Sequence, residues 1–333
     1  MASVNPSVAA ARFCLIASAV LWSLGSVFMR LLIEPLGWGL EQPRLSPLLI
    51  AFYRGIFGGL VMLALVRRAD IRFRPAMVGM VVAFTLMSGL YLSALGLGPA
   101  ANAIFLQNTA PLWVFVLAVL VLGERGDRRG WQTVLIGAAG AIVIVVGNWP
   151  RDLPPEEQRL QILLLFMGLG SGVVYALVVL FLRALREFAP AWLVALNLLG
   201  TAATLGLFVL VKDGPEAFLA WVGTPSRVQL AVLAVFGSVQ MALPYWLFTR
   251  GLRTATSQEA AIITLIEPLL NPIWAYLITP EKDTPTVWML TGGGLILFAL
   301  VWRYLPVADR DRFPAIRKPD PAPETQKPNK NAD

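Results

Sequence analysis

The 333-residue chain predicts an all-α integral membrane fold: ten transmembrane helices in two inverted five-helix repeats, with both termini on the cytoplasmic side. Three observations predict it. The first is composition: 57% of residues are hydrophobic and 14% are charged, with a mean hydropathy of +0.69. A soluble domain carries about 25% charged residues. Apolar residues also come in unbroken runs. No charge separates Arg12 from Arg30, and forty-nine uncharged residues lie between Arg74 and Glu124, where one span needs about 20. The second observation is an internal repeat at a fixed offset of 157 residues. It places Ala103 on Ala260, Pro111-Leu112 on Pro268-Leu269, Ala118 on Ala275, Leu120 on Leu277, Glu124 on Glu281, Trp131 on Trp288 and Gly137 on Gly294. The third is the distribution of Lys and Arg among the short loops.

Taken in order, apolar runs bounded by charge, Pro or Gly predict helices near 13–33, 45–66, 75–97, 100–123, 130–148, 160–182, 189–211, 227–250, 257–279 and 285–303. The long uncharged run divides at Gly96-Leu97-Gly98-Pro99, because Gly and Pro punctuate a helix. With a break that short, helices 3 and 4 must be antiparallel neighbours. The N-terminal run is of span length with no small-residue cleavage site after it, so it reads as a retained first helix.

A cytoplasmic N-terminus puts twelve basic residues in the inner loops, from Arg12 through Arg67, Arg68, Arg72 and Arg74 to Arg250 and Arg253. Six fall on the outer side: Arg44, Arg151, Arg159, Lys212, Arg227 and Lys282. The basic excess places both termini inside, in a plasma (inner) membrane. Five is odd, so the second unit enters from the opposite side. The expected units are 1–149 and 150–304, followed by a disordered cytoplasmic tail at 305–333 whose apolar content is too low to offset ordering entropy. Inverted repeats place a site at their interface near the bilayer midplane.

The net charge of +7 does not point to nucleic acid, because the arginines sit between apolar runs and form no basic face. There is no histidine, which removes His ligands and His acid–base chemistry, and the single Cys14 cannot form an intramolecular disulfide. No ATP-binding segment, cofactor or metal site is expected. The expected partners are the bilayer and a small-molecule substrate, with protons a candidate coupling ion; oligomeric state is not legible.

Each half carries a Pro-centred fourth helix ending in Glu, LQNTAPLWVFVLAVLVLGE and ITLIEPLLNPIWAYLITPE, each followed by a Gly-rich helix. With AFYRG in helix 2 and the Glu-Pro of helix 9, the chain resembles the EamA family of the drug/metabolite transporter superfamily from about residue 13 to 303. It departs at residues 279–281, which read TPE where the family more often has Gly-Glu. The resemblance implies a ten-helix bundle that moves small metabolites, often outward, by alternating access. Competing classes are a non-transporting receptor or scaffold, a channel, and an intramembrane enzyme; the last has few acid–base groups to work with.

Glu267 is the one acid well inside a helix, where a charge costs roughly 3 kcal/mol or more at the bilayer centre. It reads either as a coupling or substrate-ammonium site, or as a structural acid beside Pro268. The structural reading is preferred because the resemblance makes Glu-Pro common whatever the substrate. Arg54 is its basic counterpart, about 13 Å into helix 2. It would bind a carboxylate, or else snorkel outward, for which it lies rather deep, or pair with an acid or helix carbonyls; the structural reading is slightly preferred, and an ion pair with Glu267 is open. Pro111 and Pro268 each remove a helix hydrogen bond and are expected to kink their helices beside the cavity. Gln107, Asn108, Thr264 and Asn271 are the polar groups expected to line it. Trp22 with Tyr175, and Tyr91 with Tyr245, are mid-helix aromatics at matching repeat positions and the preferred cavity walls, against core packing or an interface belt.

Overall fold

The computed structural model describes residues 7–305; the expectation for the tail falls outside these. Among the described residues ten helices are long and apolar enough to cross a membrane: α1 (Val8–Ile33), α2 (Pro47–Ala64), α3 (Ala76–Leu97), α4 (Ala100–Leu120), α5 (Arg128–Gly147), α6 (Pro155–Ala184), α7 (Pro190–Val222), α8 (Arg227–Gly251), α9 (Gln258–Ile278) and α10 (Val287–Tyr304). No strand occurs among them. Helix starts follow local chemistry. Ser46 accepts the Leu49 N–H ahead of Pro47, while Ser226 and Gln229 form a reciprocal cap on α8. In α7 the helix runs past the expected end at 211. Gly214 there has φ +90°, a conformation only glycine adopts freely, and Pro215 then restarts the helix to Val222.

The helices pack in a definite set of neighbours: α1 with α8 and α9, α2 with α7 and α8, α3 with α6 and α7, α4 with α5, α6 and α9, and α5 with α10. Small residues set the closest approaches. A Cβ at Gly140 would lie 2.6 Å from the Gly292 carbonyl oxygen, and one at Gly292 would lie 2.5 Å from that of Gly140, so α5 and α10 touch backbone to backbone. Gly55 of α2 faces the Leu198 carbonyl and Ala202 of α7. Many large apolar side chains point outward along the spans, among them Leu86, Leu120, Leu135, Phe208, Leu277 and Phe298. That surface suits lipid and would be costly in water.

Four helices are irregular at mid-depth. α4 is interrupted between Gln107 and Ala110, and α9 at Leu265, two breaks that are 157 residues apart. Proline accounts for both. Without an N–H, Pro111 cannot bond the Gln107 carbonyl, nor Pro268 that of Thr264, and the preceding residues tighten into i→i−3 turns: Thr109 N–H to Leu106 O and Leu265 N–H to Ile262 O, both 3.2 Å. α1 breaks at Leu24 with no proline; the neighbouring Ser23 hydroxyl bonds back to the Val20 carbonyl, and Gly25 follows. α8 widens to a π-turn over Phe236–Ala242.

Candidate functional site

The α1 break meets the α8 π-turn and the half-helix Ile266–Ile278 of α9. The carbonyl of Trp22, freed by the α1 break, accepts a hydrogen bond from Gln240 Nε2 of the α8 π-turn at 2.8 Å. Beyond the break the Ser26 N–H donates to Asn271 Oδ1 at 3.1 Å, and the Ser26 hydroxyl donates to the Asn271 carbonyl at 2.8 Å. The indole of Trp274 donates to the Ser23 hydroxyl at 2.9 Å. Irregular backbone at membrane depth survives only where protein or a wet cavity satisfies it; here α8 and α9 do so for α1. The α4 break is covered differently, by Gly172 of α6, where a Cβ would lie 2.7 Å from Thr109 Oγ1 and 2.8 Å from the Leu106 carbonyl.

Beside these joints lies a group of ionisable and aromatic side chains from six helices. Glu267 of α9 is within electrostatic reach of Tyr91 (α3), Tyr175 (α6) and Tyr245 (α8). Arg54 of α2 reaches the same Tyr91 and Tyr245. Tyr91 also adjoins Asn271, and Trp22 meets Tyr245 edge-on with ring centroids 5.1 Å apart. Arg54 is 6% exposed and lies over the Phe236 ring, 5.3 Å from its centroid. Neither Arg54 nor Glu267 forms an ion pair or a hydrogen bond among the described residues, and the two do not pair with each other. Glu267 occupies the first turn of the half-helix Ile266–Ile278, where backbone N–H groups favour a negative charge.

Of the remaining residues singled out in the sequence, Asn108 Nδ2 donates to the Ile104 carbonyl at 2.8 Å and the Thr264 hydroxyl to that of Ala261 at 2.9 Å. Both bond within their own helix. Gln107 Nε2 reaches the Met87 sulfur at 3.4 Å. Sequence reasoning did not single out Gln240 or the Ser26 contacts. Their only signals were a glutamine inside an apolar run and a Ser-Leu-Gly-Ser stretch in the first helix.

It also missed a second polar centre, at the end of the bundle that carries the α3–α4 loop. Arg30, with no exposed side-chain surface, grips Asp283 with two bonds, Nε to Oδ2 at 2.6 Å and Nη2 to Oδ1 at 2.7 Å. Its remaining N–H groups donate to the carbonyls of Gly96 and Gly98 at 3.1 and 2.9 Å. Asp283 further accepts from the Ala100 N–H at 2.7 Å and the Thr279 hydroxyl at 2.6 Å. Lys282 adds contacts to Glu34 and the Gly96 carbonyl. Burial works against the charged carboxylate. The bonds and charge of Arg30, with those of Ala100 and Thr279, outweigh it and hold Asp283 below its ordinary range. At the opposite, arginine-rich end, ion pairs are solvated: Arg183–Glu124 at 2.8 Å, Arg74–Glu187 at 2.8 Å and Arg12–Glu259.

Among the described residues, ten helices long and apolar enough to cross a membrane define a multi-pass membrane protein. The model of the EamA-like transporter family matches residues 10–146 and again 162–304, and the chain belongs to that family. It is 29% identical over 294 residues to an uncharacterized transporter of Archaeoglobus fulgidus, covering 87% of this chain and 95% of the relative. It is 24% identical to the pseudopaline exporter CntI of Pseudomonas aeruginosa, over 76% of this chain and 84% of the relative. Likewise it is 24% identical to an S-adenosylmethionine uptake transporter of Rickettsia prowazekii, over 72% of this chain and 79% of the relative. One of these relatives is named for export and another for uptake.

Proposed function

We propose that the protein is a secondary transporter that exports small organic, amino-acid-like metabolites across the plasma membrane by alternating access. The substrate site is the mid-membrane group of Glu267, Arg54, Trp22, Tyr91, Tyr175 and Tyr245, with Asn271 at its edge. The observation that carries this reading is the convergence of broken helices on that group, as interrupted helices frame substrate sites in carriers.

Two inverted repeats, residues 1–149 and 150–304, supply the mechanism. Replacing each helix by the one five places later maps the packing pairs onto one another: α3–α6 onto α8–α1, α4–α6 onto α9–α1, and α3–α7 onto α8–α2. The paired family match and the equal spacing of the α4 and α9 breaks support the same division. The basic loops support a cytoplasmic position for the arginine-rich end and both termini. The Arg30–Asp283 network then closes the outer end while the inner end is held by solvated pairs, which describes an inward-facing arrangement. Exchanging the conformations of the two halves would open the outer end.

Counterflow in proteoliposomes tests this directly. Saturable exchange of a labelled solute is the expected result; a non-saturating conductance would indicate a channel. A growth screen of overexpressing cells against toxic metabolites tests direction, since export confers resistance and uptake sensitises.

A further inference from the structure

Arg30 and Arg54 are both deeply buried, yet the fold treats them in opposite ways. Every N–H-bearing nitrogen of Arg30 has an acceptor, and a carboxylate balances its charge. Arg54 has neither. Its Nε is fully buried without an acceptor among the described residues, and its guanidinium lies over the face of Phe236, itself stacked on Phe28 at 4.8 Å. An unpaired guanidinium brings five N–H donors into a low-dielectric site, and burial of an uncompensated charge is strongly unfavourable. The same asymmetry holds for acids: Asp283 has its arginine, whereas Glu267 has no cation within ion-pair distance among the described residues.

The two unpaired groups are a base and an acid and stand at the same joint of α1, α8 and α9: Phe236, beneath Arg54, belongs to the π-turn whose Gln240 holds the Trp22 carbonyl, and Glu267 lies one helical turn before Asn271, which holds Ser26. A solute that is only an anion would answer Arg54 and meet repulsion from Glu267. A solute that is only a cation would do the reverse, and a neutral solute would leave both charges desolvated. One solute with both charges satisfies both residues at once. Resting on the transporter reading above, we propose that the site is built for a zwitterion. Its ammonium group lies on Glu267 and its carboxylate on the guanidinium fork of Arg54, whose planar donors match a carboxylate. Its uncharged body lies against the Tyr91, Tyr245 and Trp22 rings.

The test is counterflow by the full-length protein in proteoliposomes, using labelled phenylalanine, leucine and methionine. Phenylalaninamide serves as the cation-only competitor and N-acetylphenylalanine as the anion-only competitor. The expected result is saturable exchange of at least one zwitterion, with each singly charged analogue competing at least tenfold more weakly. In Arg54→Gln the advantage over phenylalaninamide should disappear, and in Glu267→Gln the advantage over N-acetylphenylalanine should disappear. Because discrimination is read as a ratio, a lower yield of folded variant does not imitate it. Either analogue matching phenylalanine in the native protein overturns the proposal, as does unchanged discrimination in both variants. Saturable counterflow of an organic cation such as ethidium, with none for the three zwitterions, also overturns it while leaving the carrier reading intact. Absence of saturable counterflow for every solute counts against the carrier itself.

Discussion

Two arginines 153 residues apart in the chain, Arg30 near the end of α1 and Arg183 near the end of α6, close opposite ends of the bundle by different physics. Arg30 is sealed from solvent, bound to the Asp283 carboxylate and two carbonyls, with the Glu34 carboxylate 3.5 Å away. Arg183 is 55% exposed and touches Glu124, itself 41% exposed, through one contact. A buried pair of the first kind costs about 3–5 kcal/mol to break by removing one partner, because the other is left charged and dry. A solvated pair of the second kind contributes about 0–1 kcal/mol. The lesson is that the molecule's two ends are unequal: one is latched and the other is only tethered. On the proposed reading, a carrier that rests with its outer side shut needs this inequality.

The largest effect should come from removing the latch. Asp283→Ala is expected to lower stability by about 3–5 kcal/mol, measured as thermal unfolding in detergent; a change under about 1 kcal/mol would mean that water enters the network freely. Titration approaches the same end more gently. Asp283 ionises below its unfolded value, so its contribution is complete above about pH 4 and is lost as pH falls through the lower folded value. Asp283→Asn should flatten that acid-side decline, and an unchanged pH profile would show that other carboxylates cause it.

The joints between helices sharpen the comparison. α1 is tied to the half-helix Ile266–Ile278 of α9 by hydrogen bonds from Ser26 to Asn271, whereas α6 meets the α4 break through the bare face of Gly172. Gly172→Val is therefore expected to cost about 1–3 kcal/mol by overpacking, and a neutral substitution would show that α4 and α6 separate easily. Smallest of all should be Arg183→Gln or Glu124→Gln, at most about 1 kcal/mol and vanishing at high salt. A larger, salt-independent loss would erase the contrast between the ends.

Much of this was legible in the sequence, for identifiable reasons. The ten spans follow from charge-free runs, and Pro111 and Pro268 mark their breaks because a missing N–H is a property of the residue. The depth of Arg54 and Glu267 is likewise countable along a helix. What the sequence hid is tertiary. Arg30 and Asp283 meet across 253 positions, and an aspartate in the short turn Pro280–Asp283 reads as an ordinary loop acid. The α1 break has no proline, and its stability comes from Gln240 and Asn271, two residues on other helices. The π-turn at Phe236–Ala242 has no local signature beyond Pro244 following it. That Arg54 has no ion-pair partner among the described residues is a fact about every other helix, and no local pattern could state it.

The central claim is that the latched end must open during transport. In a Cys14→Ser background, cysteines in place of Glu34 and Lys282, whose side chains meet at that end, can be joined by a short, reducible cross-linker. Counterflow of the best-carried amino acid from the panel above is then measured before cross-linking, after it, and after reduction. Flux should fall to background when the cysteines are joined and return when they are released. Undiminished counterflow through the cross-linked protein would contradict this.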